Sequence, residues 1–520
     1  QIMFATNAYL AGQAFPDKVF INSGQTGQEK KKRSKARIIK WLEMRFLTGF
    51  SEWLSHVYYD EDITALLNLV DFCEDQEIVD LSAMILDLIF FDMALNSFRG
   101  FFGCSHGRSY GEEKRNGQIE ATSDTQKLLF GTGMFSGKDN MGAVVLALSE
   151  RYQLPQVIFD ITAHTLAYEN RQRMGIKVKD AKKWGLTSDR VEGGMGLLSL
   201  EAYTHPQSIN LVMSLFDEFR WWQNQFFKDF SKYRTLIEIL RRLHLLPALA
   251  RLLEKDLTRN TREEVNLYTF KTPDYLLSTA QDYRQGYGGD QQHIWQATLG
   301  SKAVCFTTHP GHKENTSAGY WVGSGNLPRV AQHKNVLITC YQISKMPGLY
   351  MTNQLFFTHA WFPKDEFDEV RELKGWIFGK KGDGYIALTS QNQTHWQTTG
   401  EDKDREIIAD GLRNIWICEL GRAADNGPFA NFVEQISASL LKFRGQSVTY
   451  QSPSQGKMQF GWKSPLRIEG VATSLSDYPR YHNPYCQAGF ASEKIEIKKG
   501  DQQLILNFKE RKRTVSRFLI

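Results

Sequence analysis

The segment Cys104-Ser105-His106-Gly107-Arg108-Ser109-Tyr110-Gly111 places a histidine, an arginine and a tyrosine close together among glycines, directly after a strongly apolar stretch. A histidine takes a proton, a tyrosine donates one, and an arginine neutralises a carboxylate by bidentate pairing. The bland reading is a helix cap with polar residues reaching solvent. A second cluster, His164-Thr165-Leu166-Ala167-Tyr168-Glu169-Asn170-Arg171, falls in a stretch read as helical, where a spacing of four puts His164 and Tyr168 on one face. A third, Gln291-Gln292-His293-Ile294-Trp295-Gln296, is read as a strand, and alternation puts His293 and Trp295 on the same side of it. Each cluster alone has a structural explanation; together they supply the groups that elimination chemistry requires. A fourth runs from Gly49-Phe50-Ser51-Glu52-Trp53 to Tyr58-Tyr59-Asp60-Glu61-Asp62. Its last acids suit a helix N-terminus. Glu52, Tyr58 and Tyr59 would equally form a sugar-binding rim, through ring stacking and hydroxyl hydrogen bonds.

These residues need a large scaffold to position them. At 520 residues the chain exceeds one ordinary hydrophobic core, so at least two domains are expected. Its 42% hydrophobic and 23% charged residues are those of a globular protein and exclude extensive disorder. A net charge of +5 permits an anionic substrate without demanding one. The basic run Lys30-Lys31-Lys32-Arg33 reads as a solvated helix start or loop, and no nucleic-acid-binding motif accompanies it, so nucleic acid is not an expected partner. The apolar stretch from Met84 to Leu95 is broken by Asp87 and Asp92 and is too short to span a bilayer; it reads as a buried helix, and no membrane partner is expected. The N-terminus lacks the basic and apolar regions of a signal peptide. No oligomeric state is implied.

From about Lys35 to Lys255 apolar residues recur at helical spacing. Ile63, Leu66, Leu67 and Val70 form one stripe, Ile78, Leu81, Ile85 and Leu88 a second; Ile209 to Phe219 and Leu236 to Leu243 carry others. Successive helices without strands imply an all-α layer, a bundle or a toroid of hairpins. After Pro273 short alternating runs rich in β-branched and aromatic residues take over: Val304 to Thr308, Asn335 to Tyr341, Gln354 to Trp361, Asn414 to Glu419, Ser447 to Gln451, Lys457 to Trp462 and Gln503 to Phe508. Gly375 to Leu388 reads as a hairpin about an Asp-Gly turn. Many such strands indicate an antiparallel sandwich. The boundary is expected between residues 256 and 275, giving a helical domain 1–265 and a sheet domain 266–520.

Several other patterns carry no site. Gly131-Thr132-Gly133 with Gly137-Lys138 has Asp139 where a phosphate loop needs Ser or Thr. Gly323-Ser324-Gly325 is followed by Pro328 rather than a helix. His309 and His312 flank a Pro-Gly turn without an identifiable third ligand. The six cysteines form no CxxC pair, so neither a zinc ribbon nor a dense disulfide framework is implied. Asn315-Thr316-Ser317 and Asn392-Gln393-Thr394 have the form of glycosylation acceptors.

The order of these pieces resembles the toroid-plus-sheet polysaccharide lyases, the heparinase II/III-like superfamily with alginate and chondroitin lyases. The resemblance covers nearly the whole chain in architecture and is specific locally, where Arg284-Gln285-Gly286 leads into Gln292-His293-Ile294-Trp295-Gln296. It implies an incomplete α/α toroid followed by an antiparallel β-sandwich, with an anionic polysaccharide in the cleft between them and an extracellular or periplasmic setting. Gln296 stands where the family commonly has an acid near its metal site, so no metal or other cofactor is expected. The family's order of toroid His, toroid Tyr and sheet His would fall on His106, Tyr168 and His293. The implied reaction is β-elimination at a uronic acid. Arg108 or His106 would face the carboxylate, Tyr168 or Tyr110 would transfer the proton, and His293 would form the opposite wall. Arg171, like Arg108, would supply the positive charge that depresses a tyrosine pKa, and His164, Gln292 and Trp295 would contact the glycan. Two alternatives stand beside this one. A glycoside hydrolase would use paired carboxylates such as Glu52 with Asp60 or Glu61. A non-catalytic carbohydrate-binding protein would need only the aromatic rim.

Overall fold

The computed structural model describes residues 1–163, 166–187, 191–314 and 319–519. His164 and the Asn315 acceptor triplet lie outside them.

Four long helices open the chain: α1 (Ile2–Ala14), α2 (Gly27–Thr48), α3 (His56–Phe72) and α4 (Gln76–Asn96). Their starts are set by side chains that accept otherwise orphaned backbone N–H groups. Thr26 and Glu29 form a reciprocal capping box on α2, Ser55 accepts from Tyr58 N on α3, and Asp75 accepts from Glu77 N on α4. The basic run Lys30 to Arg33, expected as a helix start or loop, lies in the first turns of α2. α1 packs on α2 and α3 on α4. From Leu81 onward every residue of α4 is buried, as a helix apolar on all sides must be. Between Gly111 and Leu257 the described helices are short, the longest being Ile209–Glu218. No described helix is long and apolar enough to cross a membrane.

Strands then dominate. A ten-stranded antiparallel sheet runs in the order Thr394–Trp396, Glu406–Asp410, Phe357–Trp361, Val304–Thr308, Trp295–Thr298, Leu276–Gln281, Val265–Lys271, Tyr168–Met174, Tyr481–Asn483, Cys486–Ala488. A six-stranded antiparallel sheet runs Glu369–Leu373, Trp376–Lys381, Gly384–Ser390, Arg413–Arg422, Val336–Gln342, Arg329–His333. The two sheets share one core in which Leu277, Ala297 and Ile407 meet Leu337, Leu388 and Trp416. Trp416 and Asn414 both donate to Thr358 Oγ1, at 2.8 and 2.9 Å, across the layer. The alternate residues Ile338, Ile415 and Ile417 point the other way, into a second core with Tyr450, Met458 and Phe460 of a five-stranded sheet. The expected hairpin is present, Lys381 pairing with Gly384 so that Gly382 and Asp383 make the turn.

One element departs from the sequence reading. Tyr168 to Met174, expected as helix, is a strand inside the ten-stranded sheet, so the helical half of the chain contributes to the sheet half. The six cysteines are all buried free thiols. Asn392 uses its amide to donate to Asp410 O and Arg413 O.

Candidate functional site

The loop after α4 is pulled into the seam between the two halves by backbone pairing. His106 N donates to His293 O at 2.9 Å, His293 N donates to His106 O at 2.8 Å, and Ser109 N donates to Gln291 O at 3.1 Å. Gly107 is needed here because its backbone runs against α3's approach: a Cβ would stand 2.6 Å from Trp53 N. Ser105 Oγ completes the join by donating to His293 O at 2.9 Å, while Ser55 Oγ donates to Arg108 O at 2.9 Å.

Three imidazoles line this seam. His106 and His293 stack with ring centroids 6.0 Å apart, and His56 meets His106 edge-on at 5.1 Å. His106 Nδ1 donates to Leu54 O. Gln296 donates its amide to Thr298 Oγ1 at 3.0 Å, which turns its Oε1 toward His293 Nε2, 2.7 Å away. His293 is therefore protonated on Nε2 and keeps a lone pair on Nδ1. Burial pushes His106 down to about 4, and burial with the charge of Lys114 holds His293 well below the ordinary range. Lys114 is itself buried and pushed down to about 7; its Nζ donates to Trp321 O at 3.2 Å and to Val322 O.

Arg108, two residues along, pairs with Glu52 and Glu201, two carboxylates that line a cavity of about 170 Å³ beside α3. Its guanidinium sits between two carboxylates, with Nε 2.5 Å from Glu52 Oε1 and Nη2 bonded to Glu201, and it lies 4.9 Å from the Tyr58 ring. Arg262 continues the alternation at 3.7 Å from Glu201 Oε2. Burial, then repulsion from Glu201, raises Glu52 to about 7; burial raises Asp62, on the same cavity, to about 7. Trp41, Phe50, Tyr58 and Tyr203 provide its aromatic walls. Tyr110 is close enough to Arg108 to act on its charge.

The structure thus pairs His106 with His293 in the seam and gathers Glu52, Tyr58 and Tyr110 about Arg108, while Gln292 turns its amide to Gln291 N and Arg259 O. It does not bring the others to these places. Tyr168 is buried, donates its hydroxyl to Leu95 O at 2.9 Å, and by strand register lies three strands and five residues from the position of His293. That is on the order of 20 Å. The expected helical face shared with His164 does not exist, since Tyr168 begins a strand. Arg171, on the same strand, pairs with Glu169 and packs over Tyr268. Tyr59 is no rim residue: fully buried, it donates to Asp92 Oδ2 at 3.0 Å. The strand begins at Trp295, after His293, and the Trp295 indole is buried with Nε1 donating to Thr307 Oγ1. Asp60, offered as a carboxylate partner, accepts from Gly142 N at 2.8 Å. His56, Lys114, Glu201, Tyr203 and Arg262 were not singled out. His56 and Lys114 flank segments that were, whereas Glu201 and Arg262 reach Arg108 only through the fold. Among the described residues no group of three or more His, Cys, Asp or Glu is placed to hold a metal ion. No family model, curated protein or solved structure matches the chain, so its chemistry is read from this geometry alone.

Proposed function

We propose that the chain cleaves a uronate-containing polysaccharide by β-elimination where its helical and sheet halves meet. The observation that carries this reading is the backbone pairing of His106 with His293, which sets a histidine from each half ring to ring, with Arg108 and Tyr110 following His106 on the same loop. In this reading the helical half corresponds to the incomplete toroid and the facing sheets to the sandwich of the heparinase II/III-like lyases, in an extracellular or periplasmic setting. His293, neutral with a lone pair on Nδ1, takes the proton from the carbon next to the uronate carboxylate. Arg108 or Lys114 withdraws charge from that carboxylate and acidifies the C–H bond. Tyr110 protonates the departing glycosidic oxygen, a carbon–carbon double bond forms, and the carbon–oxygen bond breaks. Tyr110 takes this role in place of Tyr168.

The test is a panel of uronate-containing and neutral glycans read for both ultraviolet-absorbing unsaturated products and new reducing ends. Unsaturated product from a uronate glycan, lost in Tyr110→Phe and His293→Ala, is the expected result; turnover unchanged in both variants sinks the assignment. A second reading, glycoside hydrolysis, is favoured by Glu52 and Asp62 sharing an aromatic-walled cavity with values near neutral pH, where one carboxyl can act as acid. It gives reducing ends without absorbance and loses activity in Glu52→Gln.

A further inference from the structure

We infer that the sheet half carries a second glycan-binding site, selective for anionic sugars, in a groove of about 570 Å³ built around Trp462. This inference rests on the carbohydrate reading above and adds a place where substrate is held away from the reacting bond. None of the groove's lining residues borders the Glu52 cavity.

Three features give the groove its chemistry. The first is charge. Lys255 and Lys345 line it and no carboxylate does, and neither lysine forms an ion pair among the described residues. Each ammonium lies over a ring, Lys255 at 5.8 Å from Tyr287 and Lys345 at 5.7 Å from Phe356, which steadies the side chain and leaves its charge uncompensated. The neighbouring larger cavity, about 640 Å³, is different: Arg329 pairs with Asp282 and Lys177 with Glu264 on its own walls.

The second feature is a fixed aromatic surface. Trp462 is part-buried against the second core, its backbone N–H donates to Gln446 O at 2.9 Å, and Gly286, at φ 78°, brings its backbone against the indole. A Cβ on Gly286 would stand 3.4 Å from the ring. The third is hydrogen-bonding capacity. The amides of Gln285 and Gln342 line the groove and make no side-chain hydrogen bond among the described residues, while Asn326 secures the floor through Gly286 O and Ser344 N. An indole face, free amides and two uncompensated cations are what a short uronate oligosaccharide needs: a stacking surface, partners for hydroxyls and partners for carboxylates.

The experiment is calorimetric titration of the full chain, in a Tyr110→Phe background to suppress turnover, with uronate oligosaccharides and with their carboxyl-reduced counterparts. Trp462→Ala is expected to weaken binding of both about tenfold, which corresponds to the loss of one stacking contact. Lys255→Ala with Lys345→Ala is expected to weaken only the uronate form and to flatten its salt dependence. Uronate binding that is unchanged in both variants overturns this site while leaving the carbohydrate reading intact. Absence of any glycan binding by the parent chain overturns both.

Discussion

Glu52 is a cavity carboxyl that burial disfavours in its charged form. Its carboxyl is buried beside Glu201, and even with Arg108 at 2.5 Å it is raised from 4.5 to about 7. The native state therefore holds this proton more tightly than the unfolded chain. The stabilisation is complete below about pH 4.5 and is lost as pH rises to 7. Glu52→Gln keeps the shape and removes the titration. Its thermal midpoint should gain on wild type across that window, by the equivalent of about 3 kcal/mol, and the gap should stop growing above it. A gap independent of pH would mean that the carboxylate is solvated. The residue scale also shows what sequence could reveal of the site. Arg108 and Tyr110 were visible because glycines crowd them into one loop, and Glu52 because aromatic residues surround it. Glu201 was not, since its only link to Arg108 is a contact across 93 residues of chain.

At the scale of elements, α3, α4 and strands such as Val336–Gln342 and Ser447–Ser452 were legible because apolar residues recur along them at periods of 3.6 and 2. The strand Tyr168–Met174 alternates just as cleanly, but its buried set is Tyr168, Asn170, Gln172 and Met174, half of it polar. Its periodicity is one of burial and not of hydrophobicity, so no apolar pattern announced it. What replaces apolar contact is a buried hydrogen-bond network. Gln172 donates to Asp92 Oδ1 at 2.7 Å and accepts from Asn96 at 3.0 Å and Asn170 at 2.7 Å; Tyr59 and Tyr481 also donate to Asp92. Gln172→Ala strands donors and acceptors that water cannot reach, at a cost of about 2 kcal/mol. Its thermal midpoint should fall well below that of a control such as Arg171→Ala, one residue along on the half-exposed face. Equal midpoints would show the network to be dispensable.

For the whole molecule, the boundary near residue 265 marks where strands take over and not where one body ends. A single apolar core runs from Ile2 through α4 and the facing sheets to Leu506. The three-stranded sheet Lys494–Lys499, Gln502–Asn507, Lys512–Val515 returns to the helical half, where Arg513 grips Asp87 of α4 with two hydrogen bonds, 2.6 and 2.8 Å, and Tyr152 donates to the same carboxylate at 2.8 Å. Burial raises the Asp87 pKa and the guanidinium opposes it, so the buried carboxyl depends on Arg513 for compensation. Arg513→Ala leaves an uncompensated carboxyl inside α4, at a cost of about 3 to 5 kcal/mol. Because the core is shared, that loss should not stay in the helices. Helical circular dichroism and the near-ultraviolet signal of the sheet tryptophans should melt together in wild type and shift down together in Arg513→Ala. Asp87→Leu combined with Arg513→Met, which removes both charges and keeps apolar volume, should recover most of the midpoint. If the helical signal alone moves, the two halves unfold separately, and a seam formed by His106 and His293 would join two independent bodies instead of lying within one.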